Sequence, residues 1–519
     1  MPPSVRVVSA KESAERDRAT IERGTPSRVL MQRAGAAAAE EISRRYSKRL
    51  REGALVFTGP GNNGGDGWVV AGVLARSGIN VTVVEVMKAK SPDAVVEKNA
   101  AIDSVAVADR PTDGRTAVVI DALLGTGSEG EPRGEIAAAI TAINDLHSKG
   151  APVAALDIPS GLDATTGRHS ASVVADVTLS FGGVKRGSLL ARDCCGEIVV
   201  IDIGLDEMPG GSTGGAGGPD ERLPLLIDGR WVESRIPPIR YDAHKGERKH
   251  LAILGGGEGM PGAVVLATRA ALRSGIGLVR ALVAPDNIGA ILAATPSALI
   301  SAWPTDDAEI SSRISRWANA IVIGPGLGKS DQTRKLVERV LRDSKLRVLL
   351  DADALNVFEG DAASLAVLLA GRPALITPHV AEFARLAKLK VDEVLDNRFD
   401  IGIEMARILG ATVLLKGSPT VIFAPDGDRF VVARGTAALG TGGSGDLLAG
   451  IAGTLIAQLT DATTAACCAA YVHGRAAEYC EYVRGTTLED VVYALPRAWN
   501  ESEPLPIPPV LAELPAVSR

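Results

Sequence analysis

The chain has 519 residues, which is too long for one ordinary hydrophobic core and predicts about two to four domains. It is 46% hydrophobic and 23% charged with a formal net charge of −6, so it has neither a basic surface suited to nucleic acid nor an apolar stretch of membrane-spanning length. Its five cysteines include two adjacent pairs, which argues against a disulfide framework and favours a cytoplasmic protein with reduced thiols.

Predicted helices and strands alternate through the first half of the chain. An amphipathic helix over residues 30–50 leads into six strands, and helices such as 68–77 and 134–148 lie between them. The strands are predicted at residues 54–58, 80–86, 116–122, 152–157, 174–180 and 197–203. This order is typical of a doubly wound, Rossmann-like α/β domain, which we place at residues 1–208. Residues 209–225 are rich in glycine and predict a flexible linker.

The second half, residues 226–519, predicts another α/β domain with a parallel sheet. Its strands are predicted at residues 250–254, 278–283, 320–323, 347–350, 374–376 and 413–415. A hairpin over 420–424 and 429–433 follows, joined by the turn sequence Pro-Asp-Gly-Asp. The pattern does not specify the order of the strands in the sheet.

A polar, glycine-rich segment follows the first strand, where residues 60–67 read Pro-Gly-Asn-Asn-Gly-Gly-Asp-Gly. Ligands of open parallel sheets bind beyond the carboxyl ends of the strands, so this segment is a candidate binding loop. It lacks the GxGxxG fingerprint, and the alternative is a tight turn capped by Asp66. Two later strands end in Asp121 and Asp157. We expect the three acids to converge, where oxygen ligands suit a hard cation and a carboxylate suits acid–base chemistry.

The motifs GNNGGDG, DALLGTG and DIPSGLD resemble, in order and spacing, those of the YjeF N-terminal domain family, the NAD(P)H-hydrate epimerases. The resemblance covers about residues 5–205 and implies a site for a hydrated nicotinamide dinucleotide, with Asp157 as the catalytic acid–base group. It implies a potassium ion held by Asn63, Asp121 and Ser160. The implied substrate contacts are Asn62, Asn63, Gly64, Gly65, Asp66, Gly125, Thr126, Gly127 and Asp157.

Residues 440–446, Gly-Thr-Gly-Gly-Ser-Gly-Asp, precede an apolar run that predicts a helix. Uncovered backbone N–H groups and the helix dipole make such a helix start an anion site. The carboxylate of Asp446 at the end of the loop is well placed to move a proton beside a bound phosphate. Sugar kinases of the ribokinase type carry this arrangement, so the loop alone favours phosphoryl transfer.

Four other strands of the second half also end in polar or glycine-rich motifs. These are GPGLG at 324–328, DADALN at 351–356, TPHVAE at 377–382 and LKGS at 415–418. A single His379 or Lys416 would more often be a cap or a surface group, but the series describes one edge of a parallel sheet lined for a ligand.

These motifs resemble the ADP/ATP-dependent NAD(P)H-hydrate dehydratases, of the ribokinase-like YjeF C-terminal type, from about residue 226 to 495. The family implies removal of water from the S-hydrate of NADH or NADPH at the expense of ADP, with magnesium accompanying the nucleotide. It implies Asp446 as the base that activates the substrate hydroxyl for phosphorylation. The implied substrate contacts are Ala263, Gly326, His379, Glu382 and Asp446. The implied ADP contacts are Lys416, Gly417, Ser418, Pro419, Thr420, Thr436, Gly440, Thr441, Gly442, Gly443, Ser444 and Gly445.

Three features depart from the dehydratase pattern. Ala381 stands where the family usually has Gly within His-x-Gly-Glu, and Lys249 stands near another usual Gly. Residues 435–439, Gly-Thr-Ala-Ala-Leu, lack the usual Asn-Pro. These departures bear on detailed contacts in the second domain.

Two adjacent domains with complementary steps on one metabolite support each other, because an epimerase interconverts the R and S hydrates and a dehydratase consumes S. The alternatives are a hydroxymethylpyrimidine- or sugar-type kinase with an accessory nucleotide-binding domain, and a nucleotide-sensing scaffold without catalysis. The scaffold requires the loss of Asp157 or Asp446, and both are present. We expect small-molecule substrates, no nucleic-acid or membrane partner, and a homo-oligomer.

Overall fold

The structure is a computed structural model that describes residues 4–109, 117–128, 130–205 and 222–517. The chain divides into two compact units, one formed by the residues up to 205 with 504–517, the other by 222–503. Most of the predicted linker, 209–225, therefore lies outside the described residues. None of the described helices is both long and apolar enough to cross a membrane.

The first unit is built on an eight-stranded sheet, with a separate two-stranded sheet beside it. Its strands are β1 (Val7–Val8), β2 (Ala54–Thr58), β3 (Val81–Glu85), β4 (Ala106–Ala108), β5 (Val118–Ala122), β6 (Val153–Leu156), β7 (Val177–Phe181), β8 (Val184–Lys185), β9 (Glu197–Ile201) and the last strand of the chain, β20 (Val510–Leu514). The large sheet has the order β20-β9-β7-β6-β5-β2-β3-β4, and β1 pairs with β8. All pairs are parallel except β20 with β9.

The direction in which the chain adds strands reverses between β2 and β5. From β2 it continues to β3 and β4 on one side, whereas β5 lies on the other side of β2 and leads to β6, β7 and β9. Open parallel sheets bind their ligands at such a switch point. The order confirms the predicted doubly wound, Rossmann-like architecture.

Helices cover both faces of this sheet. They are α1 (Ala10–Glu22), α2 (Ser27–Tyr46), α3 (Asn62–Arg76), α4 (Pro92–Ala101), α5 (Gly134–Ser148), α6 (Arg186–Leu190) and α7 (Arg192–Cys195). One apolar core contains residues of α2 and α3, such as Ile42 and Trp68, and a second contains residues of α5, such as Ile140. The helix predicted at 68–77 begins earlier, because a Cβ at Gly64 would lie 2.0 Å from the Gly59 carbonyl oxygen and its absence lets the first turn pack closely.

The second unit contains a ten-stranded sheet. Its strands are β10 (Leu225–Leu226), β11 (His250–Leu254), β12 (Leu278–Val283), β13 (Leu299–Ala302), β14 (Ala320–Ile323), β15 (Arg347–Leu350), β16 (Ala374–Ile376), β17 (Thr412–Leu415), β18 (Thr420–Phe423) and β19 (Arg429–Val432). Their order is β10-β19-β18-β17-β16-β15-β14-β11-β12-β13. Only the pairs β17–β18 and β18–β19 are antiparallel, so the hairpin extends an otherwise parallel sheet and the predicted α/β class is confirmed.

The helices of this unit include two that are almost wholly buried, α18 and α19 in the following series. The helices are α8 (Gly229–Glu233), α9 (Pro261–Arg273), α10 (Ile288–Ala294), α11 (Asp307–Ile310), α12 (Asp331–Asp343), α13 (Asp353–Asn356), α14 (Ala362–Leu369), α15 (Val380–Ala387), α16 (Val391–Asp396), α17 (Gly402–Leu409), α18 (Ser444–Gln458), α19 (Ala462–Glu478) and α20 (Leu488–Asn500). Cys467 and Cys468 are free thiols inside α19, where they pack as small apolar side chains. The sheet has its own switch point between β11 and β14.

The last described residues of the chain do not belong to the second unit, although the second domain was predicted to extend to residue 519. Residues 504–517 belong to the first unit, because β20 forms the edge of its sheet beside β9. The Asp202 N–H donates to the Pro509 carbonyl (2.8 Å), and Arg45 Nη2 lies 2.9 Å from Glu513 Oε1. The first unit is therefore made of two separate stretches of chain.

Candidate functional sites

A cavity of about 620 Å³ lies where β2, β5 and β6 end, at the switch point of the first unit. The predicted substrate contacts that line it are Asn62, Asn63, Asp66, Gly125, Thr126, Gly127 and Asp157. Gly64 and Gly65 do not line it, since they lie inside α3, where Gly65 packs against Met31. The structure thus brings together the three motifs that the sequence placed at neighbouring strand ends.

Beside this cavity, buried oxygen atoms from three segments meet. The Ser160 hydroxyl donates to Asp121 Oδ1 (2.6 Å), and the Ser160 N–H donates to Asp121 Oδ2 (2.8 Å). Asn63 Nδ2 donates to the Leu124 carbonyl (3.0 Å), and among the described residues the buried Asn63 Oδ1 has no hydrogen-bond partner. Burial raises the pKa of Asp121 to about 6. A hard cation would satisfy the orphaned amide oxygen and stabilise the ionised carboxylate, so this oxygen cluster fits such an ion.

Asp157 forms an ion pair with a lysine that the sequence analysis did not identify. The Lys185 ammonium donates to Asp157 Oδ1 and to the Phe181 carbonyl (2.9 Å), and its side chain is only 1% exposed. Asp157 itself has a φ of +64°, a left-handed conformation that is uncommon for a residue with a side chain. Lys185 belongs to no motif, since a single lysine after Phe-Gly-Gly-Val carries no pattern of its own.

Helix α1 forms another wall of the cavity and contributes Asp17. Burial raises the pKa of Asp17, with Lys185 opposing and the negative charge of Asp157 adding to the effect. Burial and the charges of Asp157 and Asp17 also raise the pKa of Asp66 well above its usual value. Helix α1 was not predicted, although Ser9 and Glu12 form the capping box that marks a helix start.

In the second unit the glycine-rich loop leads directly into α18, as predicted. Gly443 precedes the helix with a φ of +99°, which favours glycine, and no side chain caps the first turn. Uncapped N–H groups at the start of a 15-residue helix form an anion site. Asp446 lies in this first turn, so a carboxyl group stands beside the anion site.

Lys416 joins this loop to the strand-end acids. Its Nζ lies 2.8 Å from Asp351 Oδ1 and 3.8 Å from Glu382 Oε2. A Cβ at Gly445 would lie 3.2 Å from Lys416 Nζ and 3.7 Å from Asp351 Oδ2, so loop, lysine and acid meet. Burial lowers the pKa of Lys416, but Asp351 and Glu382 outweigh it and raise the pKa above its usual value. The ammonium group therefore stays charged.

The carboxyl of Asp446 is poised for proton transfer at neutral pH. Burial and the negative charge of Asp351 raise the pKa of Asp446 to about 7, while Lys416 opposes the shift. A carboxyl group with a pKa near the working pH can both accept and release a proton. Asp351, whose motif was recognised, had not been assigned a site role.

His379 and Glu382 are held by each other at the start of α15. The Glu382 N–H donates to His379 Nδ1 (3.4 Å), and the His379 N–H donates to Glu382 Oε2 (2.9 Å). This reciprocal capping box fixes both side chains. Ala381 lies within the first turn of the helix, where alanine is favourable, so the departure from glycine causes no strain.

Ala263 and Gly326 face each other across two loops. A Cβ at Gly326 would lie 3.1 Å from Ala263 Cβ, and Ala263 belongs to the first turn of α9. Gly326 follows β14 and Ala263 follows β11, the two strands on either side of the switch point. The structure thus places both predicted substrate contacts at the position where an open sheet binds its ligand.

The segments assigned to ADP follow β17 and β19. Thr436 caps the short 3₁₀ turn Ala437–Gly440 that replaces the missing Asn-Pro. The preceding Gly435 N–H donates to Glu478 Oε1 (2.7 Å), and Glu478 also pairs with Arg434. His473 is buried on the same helix as Glu478, and burial together with the charge of Lys416 lowers the pKa of His473 to about 4, so the ring is neutral.

Comparisons with known proteins agree over both units. Residues 27–187 match the family model of the YjeF-related protein N-terminus, and residues 251–496 match that of NAD(P)H-hydrate dehydratase. The bifunctional NAD(P)H-hydrate repair enzyme of Escherichia coli strain K12 is 34% identical over 91% of this chain and 89% of its own length. That of Coxiella burnetii is 33% identical over 90% and 93%. The ADP/ATP-dependent NAD(P)H-hydrate dehydratase of Bacillus subtilis, solved with ATP and magnesium, is 30% identical over 53% of this chain and 98% of that one, with a TM-score of 0.47.

Proposed function

Since the chain belongs to the family of bifunctional NAD(P)H-hydrate repair enzymes, we propose that its first unit epimerises hydrated NADH and NADPH and that its second unit dehydrates the S form with ADP. The observation that carries this proposal is that both strand-end sites occur in one chain, each at the switch point of its own sheet. An epimerase without the dehydratase would restore no cofactor, and the dehydratase alone would leave the R form unused.

In the first unit, Asp157 acts as the acid–base group for exchange of the hydroxyl at C6 of the nicotinamide ring. Lys185 holds the carboxyl group in place, because its buried ammonium has Asp157 as its partner. The first turns of α3, with Asn62, Asn63 and Asp66, and the loop over residues 125–127 bind the dinucleotide across the cavity.

Asn63, Asp121 and Ser160 are the residues that would hold potassium. The orphaned Asn63 Oδ1 and the buried Asp121 carboxyl are the observations that fit it. When bound, the ion would supply a positive charge that stabilises the oxygen atoms of this cluster beside the cavity.

In the second unit, Asp446 removes the proton of the C6 hydroxyl of the S-hydrate, and that oxygen attacks the terminal phosphoryl group of ADP, whose bond to the bridging oxygen breaks and releases AMP. Phosphate then leaves with the C6–O bond electrons, and loss of a proton from C5 restores the ring double bond. Lys416 and the start of α18 stabilise the transferring phosphoryl group. The residues that contact the hydrate are Ala263, Gly326, His379 and Glu382, beside Asp446.

Magnesium enters this site with the nucleotide. Within the described parts of the chain, no group of three or more His, Cys, Asp or Glu side chains could hold a metal by itself. Magnesium is usually bound by one or two carboxylates together with substrate phosphates, and Asp351 would supply such a carboxylate. The ion neutralises phosphate charge when bound.

The test uses separated R and S hydrates of NADPH, with ADP or ATP, and follows the recovery of dihydronicotinamide absorbance. We expect the protein to restore both hydrates. Asp446→Asn should abolish recovery from both hydrates. Asp157→Asn should still convert the S-hydrate to NADPH but leave the R-hydrate unconverted, apart from slow spontaneous epimerisation. Asp392→Asn, an exposed acid on α16, is the matched control and should behave as wild type.

A small-molecule kinase would phosphorylate an alcohol and release the phosphate ester, so failure of both hydrates to regain absorbance would contradict the repair activity. The expected homo-oligomer stays a prediction, which light scattering of the purified protein would test.

A further inference from the structure

We propose that Asp17 is a second catalytic acid–base residue of the epimerase site, working from a different wall of the cavity than Asp157. This inference rests on the proposed epimerase function. Helix α1 presents one face to the cavity, since its lining residues are Ala10, Ser13, Ala14, Asp17 and Ile21. That spacing of three and four residues is the signature of a single helical face, and Asp17 is its only charged member. Asp157, by contrast, comes from the end of β6.

Helix α1 is fixed firmly enough to position a reacting group. Strand β1, which precedes α1 in the chain, pairs with β8, and Val8 lies opposite Lys185. Arg16 Nη1 donates to the Gly182 carbonyl (2.7 Å), and Arg186 Nη2 lies 2.9 Å from Glu12 Oε1. These bonds tie the helix to the same segment, residues 182–186, that carries Lys185. Asp17 and the Asp157–Lys185 pair are therefore held in one framework.

The charges in the cavity separate the roles of the two acids. Lys185 bonds directly to Asp157, so the positive charge of the ammonium group lies against that carboxyl group. Burial and the negative charge of Asp157 raise the pKa of Asp17, opposed by Lys185 and Arg16. Asp66 is a further acid of the cavity, and its pKa responds to the charges of Asp157, Asp17 and Lys185. Four aspartates and one lysine line the cavity; Asp157 bonds that lysine, whereas the pKa of Asp17 is raised, so the cavity offers a carboxyl group beside a cation and a second that holds its proton more strongly, which is the arrangement that acid–base catalysis needs.

Inversion at C6 explains why two such groups are required. The protonated Asp17 gives its proton to the C6 hydroxyl as the C6–O bond breaks, and the N1 lone pair forms an N1=C6 double bond. The oxygen leaves as water. A water molecule then attacks C6 from the other face, the N1=C6 electron pair returns to N1, and the water's proton passes to Asp157. In the reverse direction the two acids exchange roles, and between successive turnovers in one direction exchange with solvent water takes the proton from Asp157 and returns one to Asp17, so one site serves both epimers with water as the only other reactant.

The full-length protein contains its own reporter for this test, because the second unit converts S-hydrate to NADPH. Asp17→Asn should lower the rate of recovery from R-hydrate at saturating substrate by about 100-fold or more, the usual worth of an acid–base group. Recovery from S-hydrate and the KM for R-hydrate should stay near their wild-type values. Glu22→Gln, an exposed carboxyl on the same helix, is the control and should recover R-hydrate at the normal rate.

Asp17→Glu separates a chemical role from a structural one, because it keeps a carboxyl group on α1. Asp17→Glu should convert R-hydrate to NADPH faster than Asp17→Asn. Both variants should unfold at the same temperature as the wild-type protein. The proposal is overturned if Asp17→Asn lowers the rate of recovery from R-hydrate by less than tenfold, or if Asp17→Asn and Asp17→Glu lower that rate equally. A wild-type protein that leaves R-hydrate unconverted would instead contradict the epimerase function itself.

Discussion

The carboxyl of Asp446 competes with Asp351 for one ammonium group, that of Lys416, and this competition sets a pH dependence. Its pKa of about 7 means that the ionised, proton-accepting form is lost as the pH falls below 7. We expect kcat/KM for S-hydrate to fall about tenfold per pH unit between pH 6 and 5. Asp351→Asn removes a charge that raises this pKa, so it should move the acid limb to lower pH.

The same shift links activity to stability with opposite sign. Because the folded state raises the pKa of Asp446 above the unfolded value of 3.8, ionisation destabilises the folded protein between about pH 4 and 7. Asp446→Asn should therefore remove part of the loss of stability that accompanies rising pH in this window. A pH profile for S-hydrate that is flat from pH 5 to 8 would contradict the assignment of Asp446 as base.

Lys249 stores backbone strain in the second unit. It stands near a position where related dehydratases usually have glycine, and its φ is +70°, a left-handed conformation that costs a residue with a Cβ about 1–2 kcal/mol. Lys249→Gly should raise the free energy of unfolding by about 0.5–1 kcal/mol, since the entropy that glycine loses on folding offsets part of the gain. Urea denaturation checks this. The control Lys335→Gly, at an exposed position inside α12, should lower stability by about 1 kcal/mol.

At the scale of elements, Glu478 connects α19 to the nucleotide segment. It accepts the Gly435 N–H and pairs with Arg434, immediately before Thr436. Glu478→Gln keeps an acceptor for the backbone but removes one of the two carboxylates that pair with the buried Arg434, the other being Glu503, so we expect residues 434–436 to shift. The KM for ADP should rise about tenfold while the KM for S-hydrate changes little. Glu481→Gln, an exposed residue three positions further on, should leave both constants unchanged.

Part of the fold and of the candidate sites could be predicted from the sequence. The predicted bounds of β11, β12, β14, β15 and β16 agree with the structure, because each is a short, mainly apolar run followed within two residues by glycine, proline or a charged residue. The strand-end motifs likewise indicated the candidate sites. Strand order was not predictable, since pairing depends on packing between distant segments. β20 was missed because its partner β9 lies some three hundred residues earlier in the chain, and Lys185 because its role arises only from contact with Asp157.

At the scale of the whole molecule, each proposed site draws its residues from one unit only, so the two reactions can be separated between molecules. Asp446→Asn keeps the epimerase, and Asp157→Asn keeps the dehydratase. An equimolar mixture of the two variants should recover NADPH from R-hydrate, because S-hydrate made by the first protein can diffuse to the second. Each variant alone should fail, apart from spontaneous epimerisation. A mixture as inactive as Asp157→Asn alone would show that S-hydrate must pass between the sites of one chain.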